Sequence, residues 1–218
     1  KKNDRVYCRG CDDVAGCAAI LAAIERLSRG TSEGEAYFLF TRAEEVGFVG
    51  AMAACRLGTI PRHCVVVNVE TSSELPNAPQ GAGPILRVGD KGNIFNPSVV
   101  AWLQAVATQL GKRDRKFQFQ RKLMDGGTCE ASAFCHFGYD AAGVCVALGN
   151  YHNVDRKRNR IAPEYIHLSD WANMVKWFVA LVETDQAYDG GNLELAKWLA
   201  DLEATYAELL RDSVQSPA

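Results

Sequence analysis

The sequence has no run of about eighteen uninterrupted apolar residues, the least that a helix needs to cross a hydrocarbon core, so no membrane span is expected. Nor is there an excess of either charge. With 24 Lys and Arg against 26 Asp and Glu, the formal net charge is −2, which leaves no basic face for nucleic acid. Arg156, Lys157, Arg158 and Arg160 make only a local loop cluster. A signal-peptide core is missing too. Lys1-Lys-Asn-Asp-Arg-Val-Tyr-Cys8 is polar and begins without Met, and reads as a cut into a longer chain. No internal repeat or low-complexity tract stands out. Cysteine is not arranged as a disulfide framework. The eight residues at 8, 11, 17, 55, 64, 129, 135 and 145 lie mostly inside apolar runs, as free buried thiols do, which favours a reducing cytoplasm. Cys8-Arg-Gly-Cys11 has zinc-knuckle spacing but no second Cys/His pair to complete four ligands.

What is present is an ordinary globular composition, 218 residues at 48% hydrophobic, enough for one well-packed domain. Val14 to Leu27 predicts a helix, apolar almost all round and therefore buried against a sheet. A strand is expected over Ala36–Thr41, a helix from Phe48 to Arg56, and an inner strand over His63–Glu70, rich in β-branched residues. Pro84–Val88 re-enters as a strand. Pro97 opens an amphipathic helix that Gly111 closes, and Lys116–Gln120 alternates like a half-exposed strand. A short helix near Ala131–Phe137 and a buried strand over Ala141–Leu148 follow, then helices over Trp171–Glu183 and Leu193–Arg211. Strands alternating with helices predict an α/β fold, a three-layer α/β/α sandwich around a mostly parallel sheet. The expected domains are residues 1–186, incomplete on their N-terminal side, and a helical extension over 187–218. The extension repeats Leu195, Leu199, Leu202, Tyr206 and Leu209 in steps of four and three, a seam too short to make a stable coiled coil alone.

The chemistry gathers at strand ends and helix starts: Asp12-Asp-Val-Ala-Gly16, the adjacent pair Glu44-Glu45, Glu70, and His152. Open α/β sheets bind ligands at such positions. Adjacent carboxylates repel, and are best tolerated where a cation takes one of them and leaves the other free to move a proton. Oxygen and imidazole donors separated by whole elements suit a folded metal site better than a local finger, and zinc accepts both donor types. His63, His136 and His167 lack acidic neighbours in sequence and read as structural, with His136 a candidate pocket residue.

The order Asp-Asp-x-x-Gly before a long helix, Glu-Glu-x-Gly-x-x-Gly-Ala, a β-branched strand ending in an acid, Gly-Gly-Thr, and a strand ending at His resembles the co-catalytic dinuclear zinc aminopeptidases of the glutamyl or tetrahedral type. It is more distantly similar to the carboxypeptidases and deacylases of the same clan. The resemblance runs over roughly residues 5–184, most specifically Glu44–Ala51. It implies a zinc-peptidase-like fold, two zinc ions per site with cobalt or manganese as substitutes, and Asp12 bridging them. Glu45 and His152 would complete one ion and Glu70 would bind the other, while Glu44 would be the general base. Asp13 would follow Asp12 through a strained peptide open to the cis form. The Gly127-Thr128-Cys129-Glu130 loop would meet the substrate. Three departures stand out. The family's upstream His-x-Asp is missing from these residues, the loop has Gly-Thr-Cys-Glu where Gly-Thr-Asp is common, and no inserted oligomerisation domain is present. The expected function is a cytoplasmic metallo-aminopeptidase acting on peptides, with homo-oligomers allowed. The alternatives are a deacylase or amidohydrolase of the clan, or a scaffold that has lost one metal ligand.

Overall fold

A computed structural model describes residues 4–31 and 33–215, with no account of the side chains of residues 193, 210 and 212–215. The chain divides into two compact units, Lys1–Tyr188 and Asp189–Ala218. In the first, the elements run β1 (Arg5–Cys8), α1 (Cys11–Ser28), α2 (Val49–Leu57), β2 (Val66–Ser73), β3 (Ile85–Asp90), α3 (Pro97–Arg113), β4 (Gln120–Met124), α4 (Glu130–His136) and β5 (Ala141–Gly149). A short 3-10 turn, Tyr151–Asn153, leads into a two-stranded ribbon, β6 (Val154–Asp155) and β7 (Arg160–Ile161). β8 (Glu164–His167) and α5 (Leu168–Glu183) follow.

The sheet runs β1-β8-β5-β3-β4, with β2 also paired to β5. All nine residues of β5 are buried, which requires cover on both faces. Ala142, Val144, Val146 and Leu148 turn into one core with Ala15, Ala19 and Ala23 of α1, Val99, Leu103 and Val106 of α3, and Met174, Val175 and Trp177 of α5. On the opposite face, Ala51 and Cys55 of α2 and Phe134 of α4 form a second cluster with Tyr139 and Ala141. Alanine-rich α1 is what lets that helix lie close on the sheet.

The fold class is the expected α/β, with one difference. The sheet is mixed: β2–β5 and β3–β4 are parallel, whereas β1–β8, β5–β8 and β3–β5 are antiparallel. The antiparallel pairs join strands far apart in sequence, β1 with β8 above all, so strand alternation along the chain does not reveal their direction. Residues 36–41, expected as a strand, are irregular, and Tyr37, Phe38 and Phe40 are exposed. Alternating aromatic residues make a strand only when a ladder partner accepts their backbone. The strand expected over Lys116–Gln120 begins only at Gln120, because Phe117 is drawn into the core. Asn96 caps α3 from Ser98 N at 2.9 Å and Val99 N at 3.1 Å, so Pro97 does open the helix. Gly111, however, is passed without a break.

In the second unit, α6 (Leu193–Gln215) starts where the Asn192 side chain accepts from Leu195 N at 3.1 Å. Its Leu195, Trp198, Leu199, Tyr206 and Leu209 are exposed. Among the described residues no helix is long and apolar enough to cross a membrane.

Candidate active site

Asp12 and Asp13 lie at the start of α1 with non-helical backbone angles, and the peptide between them is cis. The carboxylate of Asp13 folds back to accept from Gly16 N at 3.0 Å. A Cβ at residue 16 would fall 2.1 Å from Asp13 Oδ2, which is why Asp-Asp-x-x-Gly needs its glycine. Asp12 is held from the other side: its backbone N–H donates to Glu164 Oε2 at 3.2 Å. Glu164 is 2% exposed and lies opposite Cys8 in the β1–β8 ladder.

Glu44 and Glu45 occupy a tight turn before α2, where the Glu44 carbonyl accepts from Gly47 N at 2.9 Å and Phe48 N at 3.0 Å. Glu44 is half-buried and Glu45 exposed. Glu70 is in β2, with three further strand residues beyond it rather than at the strand end. His152 follows β5 in a left-handed backbone conformation, exposed, its ring stacked on Tyr151 at 3.9 Å. In the Gly127–Glu130 loop, Cys129 is buried, and Glu130 accepts from Thr41 Oγ1 at 2.6 Å. Buried Asp90 fixes this loop by accepting from Cys129 N at 3.0 Å and Ser132 Oγ at 2.7 Å. A cleft of about 720 Å³, lined in part by Gly92, Thr128, Ser132 and His136, opens beside the loop. His167 has the structural role expected of it, accepting from Ser169 N at the start of α5.

The acids share one electrostatic field. Burial pushes Asp12 up to about 6, with Glu45 and Glu164 adding to the rise and His152 opposing it. Burial pushes Glu44 up to about 7, reinforced by Glu45, Glu130 and Asp12. Asp13 and Glu70 are held well above the ordinary carboxylate range by the same causes, burial first. Asp12, Glu44, Glu45, Glu70 and His152 therefore act on one another electrostatically, although among the described residues no three His, Cys, Asp or Glu side chains are grouped so that they could hold a metal ion. Crowded, raised carboxyls are the mark of a site short of positive charge, and the oxygen and imidazole donors of Asp12, Glu45 and His152 are the chemistry zinc accepts. Glu70 differs, because Arg87 Nη1 already lies 3.4 Å from its Oε2.

This crowding carries a pH consequence. A carboxyl raised in the fold binds its proton more tightly than in the unfolded chain. Its stabilising contribution is therefore present below the ordinary range near pH 4, and is lost as pH rises through about 6 for Asp12 and 7 for Glu44. After discounting for solvent screening, the metal-free chain should lose roughly 2 kcal/mol, or about 4–8 °C in melting temperature, between pH 5 and pH 8. Calorimetry in chelator at the two pH values checks this; an unchanged or higher melting temperature at pH 8 would contradict it.

Sequence patterns do not single out Glu164, Asp90 or Arg87. Glu164 has a faint signal, an acid inside the apolar stretch Ala162–Ile166. Asp90 sits in a local turn, accepting from Gly92 N and Asn93 N, which gives no hint of its hold on the distant 129–132 segment, and Arg87 reaches Glu70 only through sheet register.

The comparisons with known proteins point to the same family. The family model for M42 glutamyl aminopeptidases matches residues 1–174. An Acetivibrio thermocellus protein that carries an aminopeptidase designation is 30% identical over 193 residues, covering 83% of this chain and 52% of its own length. The Pyrococcus horikoshii TET1 peptidase, which can assemble into a tetrahedron or a large octahedral shell, superposes with a TM-score of 0.69 at 25% identity, over 83% of this chain and 51% of that one. A TET aminopeptidase from Thaumarchaeota archaeon SCGC AB-539-E09 shares the fold, with a TM-score of 0.71 at 20% identity over 85% and 51% of the two chains. The chain spans about half the length of these relatives. Because the family model spans most of it, the chain belongs to the M42 glutamyl aminopeptidase family.

Proposed function

We propose that the chain carries the catalytic machinery of a metal-dependent aminopeptidase that releases N-terminal residues from peptides. The observation that carries the reading is Glu44: a half-buried carboxyl with a pKa raised to about 7, held in its turn beside a second acid and within the electrostatic influence of Asp12. A general base works best with a pKa near the operating pH.

Asp12, Glu45 and His152 would hold a zinc ion, with cobalt or manganese as substitutes; Glu70 is the donor that the resemblance assigns to a second ion. When bound, the metal would polarise the scissile carbonyl and acidify water at the site. Glu44 takes the proton of the attacking water and returns it to the leaving amine, and Gln at this position could do neither. The loop Gly127, Thr128, Cys129 and Glu130, tied down by Asp90 and Thr41, would orient the peptide's N-terminal residue. Glu130, a half-buried carboxylate, suits the positive α-amino group.

Two other readings are weaker. A clan deacylase would not need an acid placed to meet a free amine, and a scaffold would have no use for Glu44 beside Glu45. Homo-oligomers are proposed from the shells formed by the Pyrococcus horikoshii peptidase, and a cytoplasmic setting from eight free cysteines. The test is turnover by the zinc-loaded protein of aminoacyl anilides against N-acyl amino acids. The aminoacyl compounds should be hydrolysed at least about tenfold faster; turnover of N-acyl substrates alone would overturn the proposal.

A further inference from the structure

Among the expected ligands, Glu70 is the one that has an arginine beside it among the described residues. Its carboxylate lies 3.4 Å from Arg87 Nη1, with side-chain exposures of 14% and 3%. The same Nη1 donates to Ser72 Oγ at 3.2 Å. Strand register produces this pairing. Glu70 and Ser72 stand opposite Cys145 and Ala147 of β5, and Arg87 stands opposite Gly143 on the other side of β5, so the guanidinium reaches across the central strand. Gly143 lets it pass: a Cβ there would lie 3.3 Å from Arg87 Cδ and 3.5 Å from Phe95 Cε2.

An arginine so placed cannot shed its charge, because guanidinium stays protonated throughout the working pH range. Burying it is tolerable only with a partner. Arg87 Nε finds none among the described residues, which makes the Nη1 contacts to Glu70 and Ser72 the more necessary. A divalent ion on the Glu70 oxygens would sit about 2.0–2.2 Å from them and hence within a few ångströms of the fixed positive charge, where Coulomb repulsion opposes it.

Resting on the metal reading above, we propose that Arg87 is the resident cation of the Glu70 arm: the guanidinium stands in for a second ion, and this chain holds a single zinc through Asp12, Glu45 and His152. Glu70 is then the anchor of Arg87 and not a metal ligand. The pair ties β2 to β3 across β5.

Calorimetric titration of metal-stripped chain with zinc chloride tests this, together with the melting temperature of each variant. The wild-type chain should bind one equivalent. Glu70→Gln should leave stoichiometry and affinity unchanged within about twofold while lowering the melting temperature, because it orphans a buried guanidinium. Arg87→Met should add a second, weaker equivalent that Glu70→Gln in the same chain removes. Two equivalents in the wild type, or a roughly tenfold weakening or lost equivalent in Glu70→Gln, overturns the proposal while leaving the peptidase reading intact. If Arg87→Met does not fold, Glu70→Gln alone decides. If the wild-type chain binds no zinc, or Asp12→Asn binds it as well as wild type does, the metal reading itself fails and this inference falls with it.

Discussion

Glu44→Gln in the zinc-loaded protein is expected to slow release of N-terminal residues by roughly 10²–10⁴-fold while zinc affinity stays within about twofold of wild type. Glutamine keeps the size of the side chain and the turn that holds it, in which the residue 44 carbonyl accepts from Gly47 and Phe48. What it loses is the ability to accept a proton. The loss is large because the surroundings tune Glu44 for proton transfer. Burial and the neighbouring acids raise it to about 7, whereas Arg87 opposes the rise. Rate assays beside metal analysis check the result. Lost zinc at a preserved rate per bound ion would mean that Glu44 is the ligand and Glu45 the base.

Asp12→Asn should give two effects of opposite sign. Zinc affinity should fall roughly 100-fold or more, because even the residues that merely support metal ligands are worth about 10- to 100-fold. The metal-free chain, however, should become more stable at pH 8, since a carboxyl pushed up to about 6 by burial and by Glu45 and Glu164 no longer has to ionise there. A merely structural Asp12 would instead lower the melting temperature and leave zinc binding alone. Titration calorimetry and thermal melts on one preparation separate the two cases.

Much of the fold is legible in the sequence because it rests on local pattern. The alanine-rich helix 11–28, the wholly apolar strand 141–149 and the Asn-Pro start at 96–97 each signal their own structure. What cannot be read depends on partners. β1 and β8 are four residues each, too short for periodicity, and form because they pair with one another and, for β8, with β5. Residues 36–41 have strand composition without a strand, because composition supplies side chains and not a ladder. The site divides in the same way. Asp12, Glu44, Glu45 and His152 sit at element boundaries in a recognisable order, and Gly16 proves to be required by the carboxylate of Asp13. Arg87 sits in an unremarkable Ile-Leu-Arg-Val run, and only the register of three strands brings it to Glu70. Pair contacts across a sheet are set by register, which motif order along the chain does not carry.

The most direct test of the account is a crystal structure of the chain soaked in zinc, read by anomalous scattering. The account predicts a strong peak within about 2.0–2.2 Å of donor atoms of Asp12, Glu45 and His152, with the Glu44 carboxylate beside it and unligated, and Glu70 still paired with Arg87. A peak held by other residues, or His152 turned away from a zinc on Asp12, would contradict it.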